Sequence, residues 1–153
     1  MNYRYSPNDE LSQGDIIRHV KLLANRRDAG TNQPEYVLSN IIILSRDCEI
    51  DKPPKVEAGT TSILVARVLP FAVIEKGLQG DIRRKRVFNA FYLPTLEGTM
   101  DDECYVDWRT FHQVDKSYLH VLRKESGYYR CTAEKEFFKL ALGGLFAFLK
   151  PDE

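Results

Sequence analysis

Tyr36-Val37-Leu38-Ser39-Asn40-Ile41-Ile42-Ile43-Leu44 is the stretch on which the fold turns. β-Branched and aromatic residues dominate it, and its last four residues are apolar without alternation. That pattern predicts a strand buried on both faces. Pro34 lies just upstream, where a strand can begin, and Lys52-Pro53-Pro54 lies downstream, where a central strand cannot continue.

Working outward, residues 61–69 (TSILVARVL) read as a second strand, stopped by Pro70. Leu11 to Ile17 contains a Gly14-Asp15 turn that feeds an apolar segment. Val87 to Leu93 reads as a strand ended by Pro94, and Tyr105–Trp108 and Thr110–Val114 as two short strand pieces. Residues 24–34 and 95–103 are loops, and residues 1–10 are a frayed or docked arm. Residues 71–87 are ambiguous: Ala72 to Glu75 open a helical pattern that Gly77 and Gly80 weaken. A C-terminal helix is expected from Thr132 as N-cap, with Glu134 and Glu136 in its first turn. Phe137, Leu140, Ala141, Leu145, Phe148 and Leu149 form its apolar face, interrupted by Gly143-Gly144.

The chain has 153 residues, 43% of them hydrophobic, which suits one domain with a core that needs no staple. Lys plus Arg and Asp plus Glu are both 22, so any nucleic-acid surface has to be a local patch. Cys48, Cys104 and Cys131 form no CxxC pair, which suggests neither a disulfide framework nor a zinc site. The polar N-terminus lacks an apolar leader, and the apolar run from Leu140 to Leu149 is too short to span a bilayer. The expectation is a cytoplasmic protein with no membrane partner and no cofactor.

Several groups are candidates for chemistry. If residues 45–51 stay extended, Asp47, Glu49 and Asp51 project to one side, where three carboxylates suit Mg²⁺ or Ca²⁺. The plain alternative is a solvated acidic turn with Arg46 as local ion partner. Cys48 between two carboxylates is a poor thiolate and reads as a small core residue. Arg83, Arg84, Lys85 and Arg86, joined in space by Arg26 and Arg27, suit phosphates, with Phe88, Phe91 and Tyr92 as stacking surfaces. The alternative is a solvated basic segment balanced by Asp101, Asp102 and Glu103 across a hairpin. His112 is the histidine best placed for a general base, if it faces a groove.

Four segments, in order, resemble the PemK/MazF toxin family: Gln13-Gly14-Asp15-Ile16-Ile17, Ile41-Ile42-Ile43-Leu44-Ser45, Ile63 through Pro70, and Asp107 through Leu119 with its Val114-Asp115-Lys116. The resemblance implies an α+β fold, a small SH3-like antiparallel β-barrel with a C-terminal α-helix, in which residues 71–103 are an inserted region. That family keeps an Arg-Pro pair just before its apolar strand, and the arginine serves RNA cleavage. Here that place holds Ser39-Asn40, and Phe71-Ala72 follow Pro70 where the family has Thr or Ser. Cleavage by 2′-OH attack needs a cation on the developing phosphorane and a group to move the proton, and Ser39 supplies no cation.

The resemblance therefore implies a diverged barrel that binds RNA, DNA or a protein in a bacterial toxin–antitoxin or defence setting. An endoribonuclease with a rebuilt site, using Arg46, Arg67 or the 83–86 arginines as cation and His112 or a carboxylate as base, is the first alternative. The second is a non-enzymatic assembly subunit, a homodimer or part of a larger complex.

Overall fold

The computed structural model describes residues 2–5, 11–23, 35–45, 50, 62–84, 86–87, 90–95, 102–126 and 128–132. Its first strand pair starts at a turn. Gly14 has φ of 85°, a conformation that glycine adopts without steric cost. Asp15, fully buried, closes this turn: the Ser12 N–H donates to Asp15 Oδ2 at 2.8 Å, and the Asp15 N–H donates to the Ser12 carbonyl at 3.1 Å. The Gly14 N–H reaches the Ile43 carbonyl at 2.9 Å and the Gln13 amide reaches the Leu44 carbonyl at 2.8 Å. The Gly-Asp-Ile segment is thereby stapled to the end of the apolar strand.

From this turn runs β2 (Asp15–Leu23), antiparallel to β3 (Tyr36–Ile43), which pairs in turn with β4 (Ser62–Pro70). β6 (Cys104–Asp115) lies on the other side of β4, and β5 (Ala90–Leu93) on the far side of β6. β1 (Asn2–Tyr5) and β7 (Tyr128–Thr132) complete the sheet, in the order β1-β7-β2-β3-β4-β6-β5. With helices α1 (Lys76–Arg83) and α2 (Lys116–Ser126), this is a mixed α+β architecture built on an antiparallel sheet. The ladder does not close: among the described residues, β1 and β5 are its edges. None of the described helices is long and apolar enough to cross a membrane.

Side chains alternate between two apolar faces. One face carries Ile16, Ile42, Ala66, Val68, Phe91, Val106 and Trp108, with the Phe91 and Trp108 rings 6.1 Å apart. The other carries Ile17, Ile41, Ile43, Ile63, Val65 and Val114, onto which Leu119 of α2 packs. Burying each such side chain contributes about 1.5–3 kcal/mol. A third cluster, on the second face near α1, joins Phe71, Ile82 and Tyr105 to Leu69 and Tyr92.

Several expectations change. β3 is buried on both faces only at its C-terminal end: Ile41, Ile42 and Ile43 are fully buried, whereas Tyr36 is 53% and Leu38 69% exposed. The two strand pieces around Arg109 are one strand, β6, with an irregular register in the middle. The ambiguous 71–87 segment forms a 3₁₀ turn, Phe71–Val73, and then α1. Its glycines do not prevent the helix, because Ile82 anchors it in the third cluster. The Gln79 amide also ties it to the Phe71 and Ile74 carbonyls at 3.1 and 3.2 Å.

Lys116 to Ser126, to which the sequence reading assigned no element, is helical from its first residue. Thr132 is not an N-cap but the last residue of β7, held by pairing with Asn2. The expected apolar helix face beyond it lies outside the described residues, as do Cys48, Phe88 and the loops at 24–34 and 46–49.

Candidate anion-binding site

On the second face of the sheet a polar strip separates the cluster under α2 from the cluster under α1. Its origin is the irregularity in β6. Ala66 faces Phe111 across the β4–β6 ladder, but the next residue, Arg67, faces Asp107. Trp108, Arg109 and Thr110 therefore stand outside the one-to-one register, as in a bulge, a device common beside functional sites. The bulge keeps the faces consistent: Val106 before it and Trp108 within it pack in the first cluster, while His112 and Val114 after it join Val65 and Ile63 on the second face. A side-chain hydroxyl and a carboxylate close it. The Thr110 hydroxyl donates to the Asp107 carbonyl at 2.9 Å and accepts the Arg67 N–H at 3.3 Å.

Arg67 is the centre of the strip. It is half-buried, and its Nε donates to Ser39 Oγ at 3.2 Å across the β3–β4 pair. The hydroxyl of Ser39, a residue only 8% exposed, donates in turn to the Asn40 carbonyl at 2.9 Å. Among the described residues the terminal guanidinium nitrogens of Arg67 carry no hydrogen bond. Asp107, 6% exposed and opposite Arg67 in register, gives its carboxylate to Arg109 instead. Its Oδ1 accepts the Arg109 main-chain N–H at 3.0 Å and Nε at 3.2 Å. That pairing holds the Arg109 guanidinium above its ordinary pKa.

His112 faces Val65 on the same side of the sheet and is half-buried. Burial first, and then the charge of Arg67, push its pKa below the ordinary histidine value. The imidazole is neutral at pH 7, with one nitrogen able to accept a proton. Tyr105, at the α1 end of the strip, is pushed up by burial and by Asp107, and stays protonated. The strip therefore places a cation and a neutral imidazole on one face of the sheet, and the outer edge of the Arg67 guanidinium is a donor suited to an oxyanion such as a phosphate.

The two catalytic candidates Arg67 and His112 are thus brought together, and the nucleic-acid candidates are not brought to them. Arg83 is committed elsewhere: its Nε donates to Glu103 Oε1 at 2.8 Å and its Nη2 to Oε2. The Tyr92 hydroxyl also donates to Glu103 Oε1, at 2.7 Å, and the Arg83 guanidinium sits 5.1 Å from the Phe71 ring centroid. Arg83, with help from Tyr92, holds the Glu103 carboxyl down at about 2. For Arg83, the charge-balanced alternative across the hairpin is the one seen.

Arg84 and Arg86 are exposed, with main-chain bonds to the Gly80 and Asp81 carbonyls. Arg26, Arg27, Arg46, Lys85, and the metal candidates Asp47, Glu49 and Asp51 lie outside the described residues. Sequence reasoning missed Asp107, Arg109 and Thr110 as site residues. Their only signal was a polar Asp-x-Arg-Thr run between two apolar strand pieces, a pattern of bulge chemistry.

No family model matches the chain, and no curated protein matches it in sequence.

Proposed function

We propose that this chain is a diverged PemK/MazF-like barrel that binds single-stranded RNA in the bacterial cytoplasm, holding a backbone phosphate on the guanidinium of Arg67. The observation that carries the reading is the hydrogen bond from Arg67 Nε to Ser39 Oγ. Position 39 is where the resembled family keeps its cleavage arginine. A cation missing from that place in the sequence is returned to it in space, from the neighbouring strand. Anchoring through Nε fixes the guanidinium plane and leaves its outer edge for bidentate contact with two phosphate oxygens. The context of the resembled family, toxin–antitoxin or defence, belongs to the same proposal.

Cleavage is a second reading, favoured by His112. A neutral imidazole beside a cation is able to take the 2′-OH proton while the cation stabilises the charge on the phosphorane. Incubating the protein with end-labelled single-stranded RNA, with and without Mg²⁺, separates the readings. A mobility shift without cleavage, weakened about tenfold or more by Arg67→Ala, is the expected result. Cleavage that disappears in His112→Ala would promote the second reading. Neither shift nor cleavage would leave an assembly subunit as the better account.

A further inference from the structure

The register sets Asp107 directly opposite Arg67, and directly opposite residues of an antiparallel pair have Cβ atoms only about 5 Å apart. A half-buried guanidinium facing a buried carboxylate ordinarily pairs with it, because an unpaired charge in such a place is costly. Here the carboxylate turns away. The bulge folds residue 109 back over Asp107 and offers it a main-chain N–H, Nε at 3.2 Å and, more distantly, Nη2 at 3.5 Å. Arg109 does this from the surface, with 61% of its side chain exposed against 9% for Asp107. Its guanidinium is thus dispensable for packing, yet it occupies the carboxylate that would otherwise quench Arg67.

We infer that Arg109 is a positioning residue that holds Asp107 off Arg67 and so keeps Arg67 open to a phosphate. The inference rests on the reading of Arg67 as the phosphate-binding cation. Without the Arg109 side chain, Asp107 keeps only the main-chain N–H of residue 109. Its second oxygen then needs a donor, and the terminal nitrogens of Arg67 are the donors across the ladder. Pairing there would close the anion site. It would also cancel the positive charge felt by His112, whose surroundings on this face otherwise include Val65, Ile63 and Val114.

The test compares wild type, Arg67→Ala, Arg109→Ala and the Arg109→Ala/Asp107→Asn double variant at one ionic strength, with circular dichroism as the check on folding. The first readout is anisotropy of a fluorescein-labelled single-stranded RNA oligonucleotide. The second is the titration of the His112 ring protons by NMR, which needs no ligand. Arg109→Ala is expected to weaken RNA binding roughly tenfold, the loss of about one charge-assisted hydrogen-bonding group. Adding Asp107→Asn is expected to restore it to within about twofold, since a neutral amide no longer captures Arg67.

The His112 titration is expected to move up in Arg109→Ala and back down in the double variant. Unchanged RNA affinity and an unmoved His112 in Arg109→Ala would overturn the inference. So would a loss that Asp107→Asn does not rescue, which would make Arg109 itself an RNA contact. If no variant binds RNA but His112 moves as expected, the guarding of Asp107 stands and RNA falls as the ligand.

Discussion

Arg83 and Arg67 lie toward the same face of one sheet and have opposite fates. Arg83 opens the most basic run of the chain, and it is consumed by structure: Glu103 takes it in a two-pronged pair, Tyr92 shares the carboxylate, and the Phe71 ring lies beside it. Arg67 is the one charge in an apolar strand, and the carboxylate facing it belongs to Arg109. Local charge density in a sequence therefore says little about which guanidinium keeps an open edge. What decides is whether the nearest carboxylate is already occupied. At the α1 corner the partner is aimed at the arginine, and on the β4–β6 ladder a bulge aims it elsewhere.

The largest effect is expected at the α1 corner. Phe71→Ala removes the ring around which Tyr92, Tyr105 and Arg83 gather, and should cost about 3 kcal/mol in urea denaturation, with RNA binding by the folded protein retained. A loss of binding out of proportion to the unfolded fraction would tie the two regions together. Arg67→Ala should do the reverse. RNA affinity should fall about tenfold or more, the slope of log K against log salt should flatten by about 0.7, and the melting temperature should hardly move.

A smaller effect sharpens the contrast through pH. The Glu103 carboxyl titrates at about 2 in the folded protein against 4.5 ordinarily. Its stabilising contribution is therefore full above about pH 4.5 and lost as pH falls toward 2. The melting temperature of Glu103→Gln should lie a little below wild type at pH 7, and the two should converge on acidification. A gap that persists at pH 2 would assign the loss to packing rather than to the charge. The smallest effect belongs to Arg84→Ala and Arg86→Ala. Both residues are exposed without side-chain partners among the described residues, and each variant should alter stability by less than about 0.5 kcal/mol.

The strands with continuous apolar character were legible, because Ile41 to Leu44 and Ile63 to Leu69 leave few other fates. Arg67 and His112 were legible as candidates, but their placement on one face of the sheet was not, because it depends on the β4–β6 register. The bulge was not legible. Asp107, Arg109 and Thr110 read as an interruption between two strands, since a register shift is set by pairing with β4 and not by local propensity. α2 was hidden because Val114-Asp115-Lys116 continues the strand pattern, and only tertiary burial of Leu119 marks the change of period. At Thr132 a plausible cap lost to sheet pairing: Tyr128 to Thr132 carries the tyrosines and threonine of a strand, and β1 and β2 supply its neighbours. In α1 the tertiary anchor Ile82 outweighed the helix cost of two glycines, about 1 kcal/mol each.

The most direct test of the account is an NMR titration of the ¹⁵N-labelled protein with a short single-stranded RNA, following main-chain amides and arginine Nε–H signals together. The account predicts shifts gathered at Ser39, Arg67, Thr110 and His112, with Arg83, Tyr92 and Glu103 still. Shifts gathered at Arg83, Arg84 and Arg86 with Arg67 unmoved would contradict it, and would return the nucleic-acid surface to the basic run.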